Sequence, residues 1–292
     1  MTTPPIVVLA PGDPGYPAPL SDLPRRPGRI WVRGTPSDPT RPSVAVVGTR
    51  RADREAVRFA EGLAHRLAEA GWTIVSGGAE GSDAAAHRGA IAAEAPTVVV
   101  QAAPLTAPYP RRHRALFARV LETGGSWLSE TPPDEAAHRG RFVARNRLIA
   151  ALGDACVIVQ APPGSGALST ARWAQRLGRP LLIVPSAPWD GRNAGALALL
   201  AEGAGPCLDA DSVAAALGRT LLPLPDPSGP DDPRLDGDAA VLLEALAMRA
   251  THPDRLVEQT GLGARRVQVA LVDLAVRGLA RRDGAGWRRT GR

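Results

Sequence analysis

Two kinds of apolar spacing alternate along the middle of this 292-residue chain. Short runs rich in Val, Ile and Leu predict strands at residues 43–47, 73–75, 97–101, 127–128, 155–160 and 181–184. Between them, apolar residues recur every three or four positions, which predicts helices at residues 53–70, 83–93, 111–121, 145–152 and 167–177. This alternation is typical of an α/β domain whose mostly parallel sheet carries helices on both faces.

The flanking segments have different patterns. Residues 1–42 are rich in Pro and Gly, and we expect an N-terminal extension packed on a core domain of residues 43–212. Residues 213–236 contain five prolines and few core candidates, so we interpret them as a linker. In residues 237–292, three helical patterns precede two short β segments around a turn at 283–286, which predicts a small C-terminal winged helix.

Composition limits the chemistry. The net charge of +6 favours an anionic partner. All 35 basic residues are arginine, which excludes a Walker-type phosphate loop, a Schiff base and a lysine general base. The two cysteines and five histidines lack metal-ligand spacing, so we expect neither a metal nor a cofactor. With no long apolar run and no secretory signal, we expect a cytoplasmic protein without membrane contact.

Three loops rich in glycine and hydroxyl groups follow predicted strands. In an open parallel sheet, ligands bind beyond the carboxyl ends of the strands. Each loop also leads toward a helix N-terminus, where unpaired backbone N–H groups favour an anion. The loops together therefore predict a phosphate site. Its candidate residues are Gly48, Thr49 and Arg50 in the first loop, Ser76, Gly77 and Gly78 in the second, and Ser165, Gly166 and Ser169 in the third.

Arginines surround an aromatic residue in the segment HRGRFVARNR at residues 138–147. This composition is typical of single-strand binding, because guanidinium groups hold phosphates and a ring stacks on a base. Phe142 could equally be a core residue. The candidates are Arg139, Arg141, Phe142, Arg145, Asn146 and Arg147.

Two further groups have competing interpretations. Arg111, Arg112 and Arg114 form a second basic cluster, which is as well explained by a solvated helix face. Asp83 and His87 stand four residues apart on one predicted helix. An acid/base pair is conceivable, but a hydrogen-bonded network at the helix start is the preferred interpretation.

Six segments resemble the signature series of the DprA/Smf family of DNA-processing proteins. They are VAVVGTR (44–50), SGGAEGSDAAAH (76–87), YP (109–110), LSE (128–130), FVARNRLIA (142–150) and GSGALSTA (164–171). The resemblance implies a non-catalytic Rossmann-like domain that binds single-stranded DNA, often as a homodimer. It also implies protection of incoming strands and loading of a RecA-type recombinase in natural transformation or recombination. The tail resembles the winged helix of many members.

The resemblance also assigns roles to residues. It implies that Arg50 contacts a phosphate and that Phe142 stacks on a base, with Arg139 and Arg141 as the basic residues before the ring. The same resemblance places Arg145, Asn146 and Arg147 on the pocket floor, and gives Ser165, Gly166 and Ser169 as further donors.

The sequence departs from the family pattern in several places. The departures are Gly81-Ser82-Asp83, Gln160-Ala161 and Val184-Pro185-Ser186, and the last two put the detailed pocket shape in doubt. The helical domain that precedes these motifs in many members is not expected here.

Two alternatives belong to other functional classes. A nucleotide phosphoribohydrolase of the lysine-decarboxylase-like group would need a catalytic carboxylate in the loop at 163–171, which has none. Glu80 and Glu130 are the possible substitutes. A transcription regulator would read duplex DNA with Arg265, Arg266 and Gln268, but this leaves the arginine-rich segment unexplained.

Overall fold

The computed structural model describes residues 4–36, 38–221, 237–247, 250–276, 278–283 and 286–290. The chain divides into two compact units, Met1–Leu222 and Pro223–Arg292. In the described part of the chain, no helix combines the length and the apolar character needed to cross a membrane.

The larger unit contains a nine-stranded sheet within its described residues. In chain order the strands are β1 Ile6–Leu9, β2 Ile30–Gly34, β3 Ser43–Val47, β4 Thr73–Ser76, β5 Thr97–Gln101, β6 Ser126–Ser129, β7 Ala155–Ile158, β8 Leu181–Ile183 and β9 Gly205–Pro206. Their spatial order is β1-β2-β6-β5-β4-β3-β7-β8-β9. From β6 onward in this spatial order, neighbouring strands are parallel. Only the two pairs that β2 makes, with β1 and with β6, are antiparallel. The predicted mostly parallel sheet is confirmed.

Helices cover both faces of this sheet. They are α1 Arg54–Glu69, α2 Ser82–Ala92, α3 Arg114–Glu122, α4 Arg139–Leu152, α5 Ala167–Arg176, α6 Ala194–Ala201 and α7 Ala210–Ala216. Successive residues of β3 point to opposite faces. Val44 and Val46 therefore pack in the core formed with α1, α2 and α7, whereas Ala45 and Val47 pack with α4, α5 and α6.

Helix α4 begins six residues earlier than the pattern predicts, at Arg139 instead of residue 145. Its buried residues begin at Arg145. The preceding turns face open space, so they carry no apolar stripe from which periodicity could reveal a helix. Helices α6 and α7 were also not predicted, since both are short and rich in alanine.

The predicted N-terminal extension contributes strands to the core sheet, since β1 and β2 extend it beyond β6 and Leu20 is fully buried. The linker cannot begin at residue 213, since α7 continues to Ala216 and Val213 is fully buried. Asp209 caps this helix by accepting the Ser212 N–H at 2.7 Å. The rest of the predicted linker, from residue 222, lies outside the described residues.

The smaller unit has three helices followed by a hairpin. These elements are α8 Asp238–Ala245, α9 Pro253–Thr260, α10 Ala264–Val276, β10 Ala280–Asp283 and β11 Gly286–Arg289. Thr251 bridges to Trp287 of the hairpin, and Leu242, Leu256 and Leu271 lie in a common core. The predicted winged helix is confirmed. Residues 248, 277 and 284–285, which include the tip of the predicted turn, lie outside the described residues.

The strand order reverses direction between β3 and β7 at the centre of the sheet. From β3 the chain adds β4, β5 and β6 on one side, and from β7 it adds β8 and β9 on the other. In open α/β sheets, such a switch leaves a crevice at the carboxyl ends of the two strands. The first glycine loop follows β3 and the third follows β7, so both open into this crevice.

Candidate nucleic-acid interface

A cleft of about 880 Å³ lies at the carboxyl ends of β3 and β7. The predicted residues that line it are Gly48, Thr49, Arg50, Arg139, Phe142, Arg145, Asn146, Ser165 and Gly166. The lining also includes residues outside the predicted site, among them Arg51, Tyr109, His138, Val143 and Thr170. Most of these stand beside a predicted residue in the chain. Proximity to a predicted residue along the chain was therefore the signal that could have found them.

Helix α4 begins at this cleft without a side-chain cap. The residue before it, His138, lines the cleft, and no side chain of the described residues caps this helix. At the start of α5, by contrast, the Ser165 hydroxyl accepts the Ala167 N–H at 3.4 Å. The first N–H groups of a helix have no partner within it. Together with the helix dipole, they make this part of the cleft suited to an anion.

Arg50, Phe142 and Tyr109 form a cluster of one guanidinium and two rings at the cleft. The Arg50 guanidinium lies 5.5 Å from the centre of the Phe142 ring. Tyr109 meets the same ring edge-on, with 5.4 Å between the ring centres, and is 47% exposed. Phe142 is therefore a cleft residue and belongs to none of the buried core clusters. An aromatic platform beside an exposed cation fits an unstacked base and its phosphate.

Two more exposed arginines flank the cluster. Arg139 stands on the first turn of α4 and Arg51 on the loop after β3, and both line the cleft. No carboxylate of the described residues pairs with either of them. With Arg50, they give the cleft three positive charges that are not neutralised by ion pairs in the described structure.

Arg145, which the resemblance places on the pocket floor, lines the cleft, but its guanidinium is bound by backbone carbonyls within the protein. It is buried and donates to the Gly77 carbonyl at 2.7 Å and to the Val100 carbonyl. Burial lowers the pKa of its guanidinium to about 10, against the attraction of Asp83. A Cβ at Gly77 would overlap this guanidinium, which explains the glycine. Arg145 therefore fastens the second loop to the sheet.

Asp83 completes this buried network. Its carboxylate accepts the N–H groups of Ala79, Gly48 and Gly77 and faces Arg145. Burial raises the pKa of Asp83, against the opposing effects of Arg145 and these N–H groups. The first and second loops are thus tied to one carboxylate, in agreement with the predicted network at the start of α2.

His87 has other partners than Asp83. Its Nδ1 lies 2.9 Å from the Thr97 hydroxyl, which donates to the Ile74 carbonyl at 2.7 Å. Complete burial lowers the pKa of His87 to about 3. The conceivable acid/base pair is therefore not formed in this structure.

Two candidates in the second loop lie away from the cleft. The buried Ser76 hydroxyl donates to the Val46 carbonyl at 2.7 Å. Gly78 adopts a φ of +70°, and its carbonyl lies 3.0 Å from the His113 ring nitrogen. Gly77 reaches only a small adjoining cavity that also contacts Arg50 and Phe142. The second loop supports the cleft more than it lines it.

Three further candidates are also absent from the lining of the cleft. Arg141 donates to the Thr131 hydroxyl at 3.2 Å and pairs with Glu135, while Arg147 pairs with Glu130 at 2.7 Å. Ser169 does not line the cleft, whereas its neighbour Thr170 does. The reason is helical spacing, because one face of a helix carries positions i, i+3, i+4 and i+7. On α4, the residues that line the cleft with this spacing are Arg139, Phe142, Val143 and Asn146.

The carboxylates proposed for hydrolysis also have partners. Glu80 pairs with Arg112, and Glu130 pairs with Arg147.

Gln160 replaces the Glu that is usual in the family pattern. Its amide donates to the Asp53 carboxylate at 2.7 Å, a hydrogen bond that an ionised Glu could not donate. Among the described residues, no group of side chains is arranged to hold a metal ion.

Comparison with known proteins accounts for this combination of cleft and winged helix. Residues 7–218 match the family model of DNA recombination-mediator protein A, and residues 225–286 match that of the DprA winged helix domain. The chain belongs to the DprA/Smf family. The fold and family predicted from the sequence are therefore both confirmed.

Relatives in this family cover most of the chain. A putative DNA processing protein DprA from Mycobacterium tuberculosis is 40% identical over 255 residues, which are 84% of this chain and 64% of the relative. Protein Smf from Synechocystis is 35% identical over 80% of this chain and 58% of its own length. The chain thus spans somewhat less than two thirds of the length of these relatives.

Two solved DprA structures are similar to this one. DprA from Streptococcus pneumoniae gives a TM-score of 0.67 at 31% identity, covering 72% of this chain and 74% of that one. DNA processing protein A from Helicobacter pylori, whose structure describes a unique single-stranded DNA-binding mode, gives 0.65 at 30% identity over 73% of this chain and 95% of that one.

The DprA motifs have different roles in the site. Segments 44–50, 142–150 and 164–171 meet at the cleft. Segment 76–87 supplies Asp83, and the dipeptide at 109–110 supplies Tyr109. The motif at 128–130 supplies Glu130, whose described partner is Arg147. The series thus contains both a surface and the framework that holds it.

Proposed function

We propose that this DprA-family chain binds single-stranded DNA in the cleft between β3 and β7 without performing chemistry on it. The observation that carries the proposal is the exposed cluster of Arg50, Phe142 and Tyr109 beside the uncapped start of α4. The cluster supports unpaired bases over duplex, because an aromatic face can stack only on a base that is free of its helix. The related protein from Helicobacter pylori, with its single-stranded DNA-binding mode, adds support.

Binding without catalysis fits the state of the acidic groups around the site. Asp83 lines the cleft, but its oxygens are occupied by backbone N–H groups and Arg145. General acid/base hydrolysis needs a carboxyl group within hydrogen-bond reach of the substrate. Glu80 and Glu130 are paired with arginines, which removes the support for a phosphoribohydrolase.

We further propose that the bound strand is protected and passed to a RecA-type recombinase in the cytoplasm, by a homodimer, during transformation or recombination. Family membership supports this proposal. The residues proposed for the site all belong to the larger unit. In the smaller unit, Arg266 of α10 donates from its guanidinium Nε to Asp238 at 2.6 Å, so it is less available to a base.

An anisotropy titration tests the proposed ligand. Oligo-dT, a duplex of equal length and a nucleoside monophosphate are compared over a series of salt concentrations. We expect far tighter binding of oligo-dT, with an affinity that falls steeply with salt because phosphate contacts release counterions. Preference for duplex would support the regulator instead, and turnover of the nucleotide would support the hydrolase.

Variants at the cluster test its place. Phe142→Ala should weaken oligo-dT binding by about 1–3 kcal/mol through loss of one stacking platform. Arg50→Ala should weaken binding to all sequences alike. Arg176→Ala is the matched control, because Arg176 lies 5.2 Å above the ring of Trp173 in a similar pair that does not line the cleft. If Arg50→Ala and Arg176→Ala bind oligo-dT with equal affinity, Arg50 is not part of the binding site.

A further inference from the structure

The loop that carries Arg50 and Arg51 is held at both of its ends by one residue outside the cleft. Gln160 follows β7 at the carboxyl edge of the sheet, is only 4% exposed and does not line the cleft. Its backbone carbonyl accepts the Thr49 N–H at 2.7 Å, and its side-chain oxygen Oε1 accepts the Asp53 N–H at 3.1 Å. The two arginines stand between these anchors, so Gln160 fixes where their loop begins and ends.

The pair that Gln160 makes with Asp53 is reciprocal. The Gln160 oxygen accepts the Asp53 N–H, and the Gln160 amide nitrogen donates to the Asp53 carboxylate at 2.7 Å. The other oxygen of this carboxylate accepts the Ala56 N–H at 2.8 Å and so caps α1, while Arg192 pairs with Asp53 at 3.0 Å. The Ala56 N–H lowers the pKa of the Asp53 carboxyl, as do Gln160 and Arg192, against the opposing effect of burial. Asp53 is therefore ionised at neutral pH and needs a hydrogen-bond donor at position 160.

The need for a donor gives the departure from the family pattern a physical reason. A Glu in place of Gln160 would bring a second carboxylate to within hydrogen-bond distance of Asp53. Like charges this close repel one another, and an ionised Glu has no proton to donate. The pair would open, and the loop would lose its anchor three residues beyond Arg50.

The second support of the loop lies at its other end. The Ser82 N–H donates to the Thr49 carbonyl at 3.4 Å, and a Cβ at Gly81 would overlap the same carbonyl. The second loop therefore holds the loop near Thr49. The contact with Gln160 holds it near Asp53, so each end of the loop depends on a different neighbour.

We propose that Gln160 is a positioning residue for single-stranded DNA binding, which holds the first loop so that Arg50 stands beside the Phe142 ring and meets the phosphate of a stacked base. This inference rests on the proposed function. Gln160 does not touch the DNA in it. The 5.5 Å between the Arg50 guanidinium and the centre of the Phe142 ring is the geometry that the pair with Asp53 maintains.

An exchange of the two side chains tests this role. Gln160→Glu brings two carboxylates together, whereas Asp53→Asn/Gln160→Glu again has one carboxylate and one amide, with their positions reversed. Gln175→Glu is the matched control, because Gln175 is exposed on α5, does not line the cleft and adds the same charge. Far-UV circular dichroism and the midpoint of denaturant unfolding establish that each variant is folded under the conditions of the titration.

We expect Gln160→Glu to bind oligo-dT roughly ten-fold more weakly than wild type. The slope of log affinity against log salt should shrink by about 0.7, the value for one phosphate contact on a single strand. A purely structural role of Gln160 would lower the midpoint of unfolding without changing this slope. The exchanged double variant should recover most of the affinity and the slope, and Gln175→Glu should resemble wild type.

A second comparison tests whether Gln160 acts through Arg50. Arg50→Ala and Arg139→Ala are each introduced into wild type and into Gln160→Glu. In the Gln160→Glu background, Arg50→Ala should cause little further loss, because its contact is already lost. Arg139→Ala should weaken binding by the same factor in both backgrounds, as independent sites do. An equal loss for Arg50→Ala in both backgrounds would contradict the positioning role.

The remaining outcomes separate this role from the function it extends. If wild type binds no oligo-dT, the proposed function and the positioning role both fail. If wild type binds and Gln160→Glu binds equally well, the positioning role is overturned and the cleft stands. If Gln160→Glu does not fold, the exchanged double variant decides. Wild-type affinity and slope in that variant support the role, and a folded double variant that binds weakly overturns it.

Discussion

The first turn of α4 and its middle contain similar residues in different states. Arg139 in the first turn is exposed at the cleft, without a carboxylate partner among the described residues. Six residues further on, Arg145 is buried and bound to two backbone carbonyls, and Arg147 beyond it is paired with Glu130. One arginine-rich segment thus supplies both a binding surface and a framework. An arginine count cannot distinguish the two, whereas helical spacing and burial can.

The framework has consequences for the surface. Arg145 holds the second loop through Gly77, and Asp83 holds the first loop through Gly48. The Arg50 side chain extends from the first loop to Phe142. The buried network therefore positions the exposed cluster without contacting a ligand.

The largest effect should come from breaking the buried network. Arg145→Met keeps the apolar stem but leaves Asp83 buried without its cation, which should lower the free energy of unfolding by about 3–5 kcal/mol. The measurement is denaturant unfolding followed by tryptophan fluorescence. A Trp287→Phe background confines the signal to the larger unit, since the other five of the six tryptophans lie there.

Arg139→Met is the matched variant on the same helix. It should leave the free energy of unfolding nearly unchanged, because the side chain is exposed. If the two variants have equal stability, Arg145 is not part of a framework. The contrast between the two parts of α4 would then be lost.

The free energy of unfolding should also depend on pH, because His87 is buried without its proton. His87 has a pKa of about 3 in the folded chain, whereas an unfolded histidine has a pKa of about 6.5. Between these two pH values the unfolded chain binds a proton at His87 and the folded chain does not. The contribution of His87 to the free energy of unfolding is therefore complete above about pH 6.5 and is lost as the pH falls toward about 3. The loss should reach about 2 kcal/mol between pH 7 and pH 5.

His87→Asn isolates this contribution, because every other group titrates equally in both chains. The free energy of unfolding of the variant should lack this part of the decline. The exposed arginines of the cleft remain charged throughout the interval, so they add no such slope. Parallel pH curves for wild type and variant would show that His87 is protonated in the folded chain.

The fold was largely predictable because its signals are local. Runs such as 43–47 and 155–160 are apolar on both faces, which is typical of central parallel strands. The start of α4 was missed because its first turns face the cleft, where no apolar stripe is needed. Strands β1 and β2 were missed as sheet elements because pairing with β6 depends on contacts distant in sequence.

The position of the site could be predicted from the sequence, but the contacts of its individual side chains could not. Glycine loops after β3 and β7 located the cleft, because the carboxyl ends of parallel strands share an edge. The sequence could not show that Glu130 would meet Arg147, or that Gly77 would give room to Arg145. These pairings are set by packing between segments that are 17 and 68 positions apart.

The smallest effect on binding concerns Arg147, which the family resemblance placed on the pocket floor. Its side chain is only 13% exposed and pairs with Glu130, so Arg147→Ala should cost about 1–3 kcal/mol of stability, because Glu130 loses its charged hydrogen-bond partner. It should leave the salt dependence of oligo-dT binding unchanged. Arg139→Ala should instead reduce that slope by about 0.7, the value for one phosphate contact on a single strand. A slope that shrinks for Arg147→Ala and not for Arg139→Ala would reverse the assignment, and would mean that the Glu130 pair opens when DNA binds.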